Sequence, residues 1–546
     1  MRSMCRLARV ASLAFLPAFF LGCRHAESPT SSSSSQAQLV VSVVLDQMGS
    51  EVLERWWPAL DEGGALKTLA REGVYHHTVR YAYAGTYTAP GHSAIYSGAS
   101  PIDSGIGSNR RWDRARQKSV SIADDGVSEI FGHSGAFAGP GVLLVDTVGD
   151  TLATATHGLG KVVSVSMKDR GAVLPGGQKA NFVAWYDEHA KGFTSSTAYG
   201  PALPSWFETW RTENPVSARF GVWNAENPEE CARLAGLDDG VGEGNFDGYG
   251  KTFPHDVRVS TNPYDLFLMD PASTELLVDL ARRAVDALAL GADEVPDLLA
   301  ISISGTDYVG HTFGPNSWES LEHLRRADRA LGRLLRELRA KTRVAMIVTA
   351  DHGIAPIPER PDATHEGPGR LDDETLLPIA RSAAERVAGP GLWVEAFVQP
   401  FLYLSPAALQ HDKRRAIESA IVDALRQTPG ISYASTVANA AERRGARDTL
   451  TALVAESATT RQGELMVFTT AGTIVDEKVP RGFGTSHGSP WVYDRTVPVI
   501  AAGPGVGHLE THEELLQSAV ASSIASLLRV PAPPFAAASP LPGFSK

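Results

Sequence analysis

The feature that most constrains this chain is a repeated alternation of short, wholly apolar runs with stretches of helical spacing. Residues 39–45 read LVVSVVL, 161–167 KVVSVSM, 298–303 LLAISI and 343–349 RVAMIVT. Helical patterns fall at about 64–72, 145–156, 273–289 and 317–340, and a strand at 497–502 followed by a helix near 513–528 closes the series. A strand with no polar face must be covered on both sides, which predicts a mostly parallel central sheet flanked by helices, an α/β architecture. Two blocks, 180–260 and 380–480, fit the alternation poorly and read as insertions placed to cap an active site. The remainder of 38–546 reads as one catalytic domain, for which 43% hydrophobic residues supply ample core.

The N-terminus has the layout of a secretory leader over residues 1–22: Arg2, Arg6 and Arg9, then an apolar run from 10 to 22 that is too short to span a bilayer. Phe20-Leu21-Gly22-Cys23 resembles a bacterial lipobox, which implies lipidation of Cys23. Residues 23–37, with five consecutive serines, read as a flexible tether. The expectation is an exported protein, periplasmic or an outer-membrane lipoprotein, attached to a membrane only through Cys23.

Cys5, Cys23 and Cys231 are the three cysteines, so after processing neither an internal disulfide nor a thiolate metal site is expected. Any metal must be held by His, Asp, Glu or hydroxyl oxygen. Formal net charge is −12, which excludes general nucleic-acid binding and requires an anionic substrate to be met by a local cationic cluster.

Chemistry-bearing residues gather just after the expected strands: Asp46, then Lys168 and Arg170, then Asp307, then Asp351 and His352. In open parallel sheets the ligand crevice lies outside the carboxyl ends of the strands. A lone Asp there is commonly a helix cap; four strand ends delivering carboxylate, imidazole or cation together are not. Asp307 and His311, four apart, share a face if the chain turns helical and can then chelate one ion. Gly353 permits a tight turn after Asp351-His352, and His487 sits in the small-residue loop Gly484-Thr485-Ser486-His487-Gly488. Carboxylates and histidines without cysteine suit zinc or manganese in a hydrolytic role. Thr88 precedes an expected helix at 90–97, so it is either an N-cap or a hydroxyl held where helix amides favour phosphate.

These stretches (LDQM, TYTAPGHSAIYSG, SMKDRGA, SGTDYVGH, TADHG and GTSHGSPW) resemble the alkaline phosphatase superfamily, in particular the phosphate-irrepressible, PafA-type alkaline phosphatases, over roughly 38–506. The resemblance implies two zinc ions, one surrounded by Asp46, Thr88, Asp351 and His352, the other by Asp307, His311 and His487. It further implies that Thr88 is the nucleophile, forming a phosphothreonine, and that Asn109, Lys168 and Arg170 bind the phosphoryl oxygens. The implied reaction releases inorganic phosphate from small phosphate monoesters.

The nearest alternative is a phosphodiesterase or nucleotide pyrophosphatase of the same superfamily. A monoester dianion rewards extra cations more than a diester does, and Lys168 and Arg170 lie on one side of an extended segment. A non-catalytic, metal-stabilised surface binding protein is the alternative from another class. Gly484-x-Ser486-x-Gly488 matches a nucleophile elbow in letters, but no helical pattern follows it. The run Asp238-Asp239-Gly240 with Glu243, Asn245 and Asp247 reads as an acidic solvent loop rather than a calcium site. His92 is expected to pack behind the site, and His76, His77, His365 and His411 to lie on surfaces or in loops.

Overall fold

The computed structural model describes residues 36–361, 363–476 and 482–545. The leader, Cys23 and the serine run lie outside the described residues. Among the described residues, no helix is long and apolar enough to cross a membrane.

A ten-stranded mixed sheet forms the frame, built from β1 (Leu39–Leu45), β2 (Val74–Arg80), β3 (Val162–Ser166), β4 (Phe182–Asp187), β5 (Gly192–Thr194), β6 (Asp297–Ile303), β7 (Val344–Thr349), β8 (Thr496–Ala502), β9 (Leu509–Thr511) and β10 (Leu515–Leu516). The spatial order is β9-β2-β8-β7-β1-β6-β3-β4-β5, with β10 also on β2. β1 occupies the middle, parallel to β6 and β7, and all seven of its residues are buried. Its one polar side chain is satisfied: Ser42 Oγ accepts from Tyr96 Oη at 3.0 Å.

Helices cover both faces. Thr88–Ser97, Val148–Ala155, Asp169–Gly176 and Ser518–Leu528 pack as one layer; Ala65–Glu72, Pro271–Leu288, Gly305–Phe313 and Trp318–Arg339 form the other. The 22-residue helix Trp318–Arg339 shows why such a charged segment folds. Ser317 Oγ caps it by accepting from Ser320 N at 3.1 Å, and Leu321, Leu324, Leu331, Leu334, Leu335 and Leu338 make one buried stripe at helical spacing.

Three expectations are corrected. The segment at 497–502 joins the sheet as β8, antiparallel to β7 and β2. It has to run backwards, because the loop carrying His487 lies at the carboxyl end of β7 and the chain re-enters the sheet from that edge. The block at 180–260 is not wholly outside the sheet: β4 pairs parallel with β3, and β5 antiparallel with β4. Aromatic residues in FVAWYD supply its buried face, hidden in the sequence by the Gly-, Asn- and Pro-rich text around it. His76 and His77 are buried on β2, which is paired on both sides; His77 lies between Glu54 and Glu510 at 3.0 Å each.

Within 380–480 a separate antiparallel sheet forms, ordered Val394–Val398, Phe401–Leu404, Leu465–Thr469, Ile431–Thr436. Helices Asp373–Ala388 and Arg414–Arg426 pack on it around a core of their own that includes Leu376, Leu402, Leu404, Ile417 and Ile421.

Candidate metal centre

Three strand ends of the central sheet converge. Asp46 follows β1, the helix Gly305–Phe313 carrying Asp307 and His311 follows β6, and Asp351-His352 follows β7. Asp46, Asp307, Asp351, His352 and His487 are all buried. The loop from 484 adds His487, whose ring stacks on His352 with centroids 3.7 Å apart and lies 5.1 Å from that of His311. Asp307 Oδ1 is 3.2 Å from His311 Nε2 and 3.5 Å from His487 Nε2, while Asp46 Oδ1 is 3.5 Å from His352 Nε2. Two overlapping groups can each hold an ion: Asp307, His311 and His487, and Asp46, Asp307 and His352. Asp307 belongs to both.

The donor chemistry fits metal ions closely. Each of the three histidines gives its Nδ1 to a backbone carbonyl: His311 to Thr485 O at 2.9 Å, His352 to Gly353 O at 2.9 Å, His487 to Thr86 O at 2.9 Å. That bond fixes the Nδ1–H tautomer and points the Nε2 lone pair into the cluster. Nε2 of His311 and His352, Oδ1 of Asp46 and Oγ1 of Thr88 are buried and have no hydrogen-bond partner. Such orphaned donor atoms, facing one another, are costly unless a cation joins them. Burial holds His352 below the usual imidazole range and, with the neighbouring His352 ring, takes His487 down to about 3, so both are neutral at pH 7. Burial and the adjacent Asp351 push Asp46 up against the pull of Lys168. Carboxylates crowded in this way are relieved by positive charge.

Thr88 is the first residue of the helix Thr88–Ser97, whose N-cap is Tyr87, so the reading of Thr88 as an N-cap does not hold. Its hydroxyl is left free at a helix N-terminus, beside amides without intrahelical partners. Asn109 Oδ1 accepts from Ala89 N at 2.9 Å, which sets the asparagine against the same helix end. Lys168 Nζ lies 2.7 Å from Asp46 Oδ2 and 2.5 Å from Asp307 Oδ2, and 5.0 Å from the Tyr308 ring centre. Here the ammonium is paired with both buried carboxylates. Arg170, in the first turn of the next helix, keeps a buried Nε without a hydrogen-bond partner. Both cations line a cavity of about 710 Å³ together with Asp307, Tyr308, His311, Trp185 and Tyr186.

Gln47 escaped the sequence reading. It sits in the left-handed region at φ 70°, and this turn lets one residue hold two ligands: its N–H donates to Asp351 Oδ1 at 3.1 Å and its Nε2 to Asp307 Oδ1 at 2.7 Å. A Cβ on Gly310 would lie 1.8 Å from Gln47 Oε1, so the helix can approach only as glycine there. A lone Gln after a strand carries no signal of this kind. His92 acts from behind, as expected, with Nδ1 3.2 Å from Asp351 Oδ2 and Nε2 2.8 Å from Ser302 Oγ. Ser486 lies in a stretch of loop with no helix following it directly, which removes the nucleophile-elbow reading.

A family model described as type I phosphodiesterase / nucleotide pyrophosphatase matches residues 40–488. The chain belongs to that family. It is 31% identical over 517 residues to the alkaline phosphatase PhoV of Synechococcus elongatus, covering 91% of each chain. It is 29% identical over 509 residues to a Myroides odoratus protein named calcium-transporting ATPase, covering 91% of this chain and 92% of that one. A crystal structure of the alkaline phosphatase PafA superimposes with a TM-score of 0.84 at 25% identity, over 94% of this chain and 99% of PafA. This member of the family is therefore a hydrolase of the alkaline phosphatase superfamily, with the PafA-type α/β fold.

Proposed function

We propose that the chain hydrolyses phosphate monoesters with Thr88 as nucleophile and two divalent ions, zinc by donor set, between the groups described above. The observation that carries this is the orphaned Thr88 hydroxyl, buried at the N-terminus of a helix whose His92 lies 3.2 Å from Asp351 Oδ2 in the carboxylate and imidazole cluster. Asp46, Asp351, His352 and Thr88 would hold one ion and Asp307, His311 and His487 the other. Bound there, the ions act as Lewis acids, lowering the pKa of hydroxyl groups and neutralising charge on the attacking and leaving oxygens.

Thr88 Oγ1 attacks phosphorus and its proton passes to solvent while the bond to the ester oxygen breaks; the departing alkoxide takes a proton from water and leaves as the alcohol. Asn109, its Oδ1 held by Ala89 N, would offer its Nδ2 to the phosphoryl oxygens at this helix N-terminus, where charge develops. Water then attacks the phosphothreonine, freeing inorganic phosphate and restoring the threonine. Lys168 and Arg170, both on the cavity wall, would bind the phosphoryl oxygens. Similarity to PhoV and PafA favours monoesters.

The phosphodiesterase reading stays beside it because the matching family model is described by that activity. Paired kinetics on an aryl phosphate and its methyl diester separate the two. With Lys168→Ala and Arg170→Ala combined, monoesterase activity should fall far more than diesterase activity; equal losses would favour the diesterase. Export and lipidation at Cys23 are part of the proposal, and mass spectrometry of the mature N-terminus tests them.

A further inference from the structure

We propose a separate cation site, for zinc or a similar borderline divalent ion, formed by His133, Asp187 and His189 on the wall of the cavity that holds Lys168 and Arg170. Two chain segments meet there. Asp187 ends β4, His189 lies in the turn to β5, and His133 sits on a loop bounded by Gly132 and Gly135. His133 Nδ1 is 2.9 Å from Asp187 Oδ2, His189 Nδ1 is 4.0 Å from Asp187 Oδ1, and the two rings stack at 3.9 Å and 18°. One donor atom from each residue falls within 4.8 Å of the others. Glu188 Oε1, 3.8 Å from His189 Nδ1, is within reach as a fourth ligand.

The geometry is prepared by the backbone. Phe131 N donates to Ser195 O at 3.0 Å and Thr194 Oγ1 to Phe131 O at 2.6 Å, which pins the His133 loop to the hairpin. Ala190 N donates to Asp187 Oδ1 at 2.9 Å and orients the carboxylate. A plain loop tether would need only the His133–Asp187 hydrogen bond. It leaves unexplained a second imidazole stacked on the first, with its Nδ1 turned to the same carboxylate. Two imidazoles with a carboxylate are the donor set of zinc, nickel or copper rather than of calcium or magnesium. All four residues line the cavity, so an ion there adds positive charge to the chamber a phosphate ester would enter. The site does not depend on the reaction proposed above.

The test is zinc binding to the full chain, by equilibrium dialysis with metal analysis, in wild type, His189→Ala and His133→Ala. The His189 side chain is 59% exposed, and its removal keeps the His133–Asp187 tether, so that variant should fold normally. Wild type should bind one equivalent more than His189→Ala, or hold that equivalent at least ten-fold more tightly, and His133→Ala should behave like His189→Ala. Identical isotherms for wild type and His189→Ala, whatever the total stoichiometry, overturn the proposal.

Discussion

The carboxyl edge of the central sheet and the sheet of residues 394–469 are both well-packed β structures, yet they use their carboxylates differently. At the central edge, Asp46, Asp351 and His352 are wholly buried, with donor atoms left facing one another. At the inserted sheet, carboxylates meet donors from a neighbouring hairpin: Arg114 spans from the hairpin at 110–121 to Glu464 at 2.9 Å, and Trp112 Nε1 donates to Glu395 Oε2 at 3.1 Å. One region gathers carboxylate and imidazole atoms without hydrogen-bond partners around one centre, while the other is a support against which the Asn109 segment leans, with Ser108 Oγ donating to Gln399 O at 2.5 Å.

The sharpest way to break that contrast is Thr88→Ala. Turnover should fall on the order of 10³-fold or more, while metal content and melting temperature stay near wild type. Unchanged turnover would remove the nucleophile. Chelation should abolish activity and raise hydrogen exchange at 305–313 and 351–354 while leaving 394–404 protected. An ion held at ~100 times its dissociation constant contributes about 2.7 kcal/mol, and that should be lost at the central edge alone. Uniform deprotection would show that the two regions are not separate in this sense. Gln47→Ala is expected to weaken metal affinity about 10- to 100-fold with the fold intact, read by competition with a chelator.

Smaller effects probe the support. Leu402→Ala empties part of the inserted core and should cost about 2–5 kcal/mol, read by denaturant unfolding, with turnover at room temperature within roughly three-fold of wild type. A collapse of activity in the folded variant would mean that the inserted sheet sets the site directly. The last test concerns a buried acid remote from the cluster. Burial raises Asp328 to about 6. A carboxyl raised on folding binds its proton more tightly in the native state, so stability falls as pH rises from the ordinary carboxylate range through about 6 and is flat above. Asp328→Asn keeps an Oδ1 acceptor for Leu66 N and loses the charge. The variant should therefore gain stability relative to wild type between pH 4.5 and 7.5 in urea unfolding. A constant difference would refute the linkage.

Much of the architecture was legible in the sequence because buried parallel strands must be apolar throughout, and β1, β6 and β7 fall where such runs occur. The helix Gly305–Phe313 supplies the register that brings Asp307 and His311 onto one face. Less legible was β4, whose aromatic residues lie among Gly and Pro, and the buried pair His76 and His77, whose burial depends on β9 and β10, more than 400 residues away.

The sequence by itself determined which residue types stand at the ends of which strands, since hydrophobic periodicity and local spacing are properties of neighbours along the chain. Only the tertiary structure decided that β8 runs backwards, that Gln47 holds Asp307 and Asp351 together, and that Lys168 lies between two carboxylates. Each of those depends on atoms from segments more than a hundred residues apart, whose meeting is set by how the layers pack and not by any local pattern.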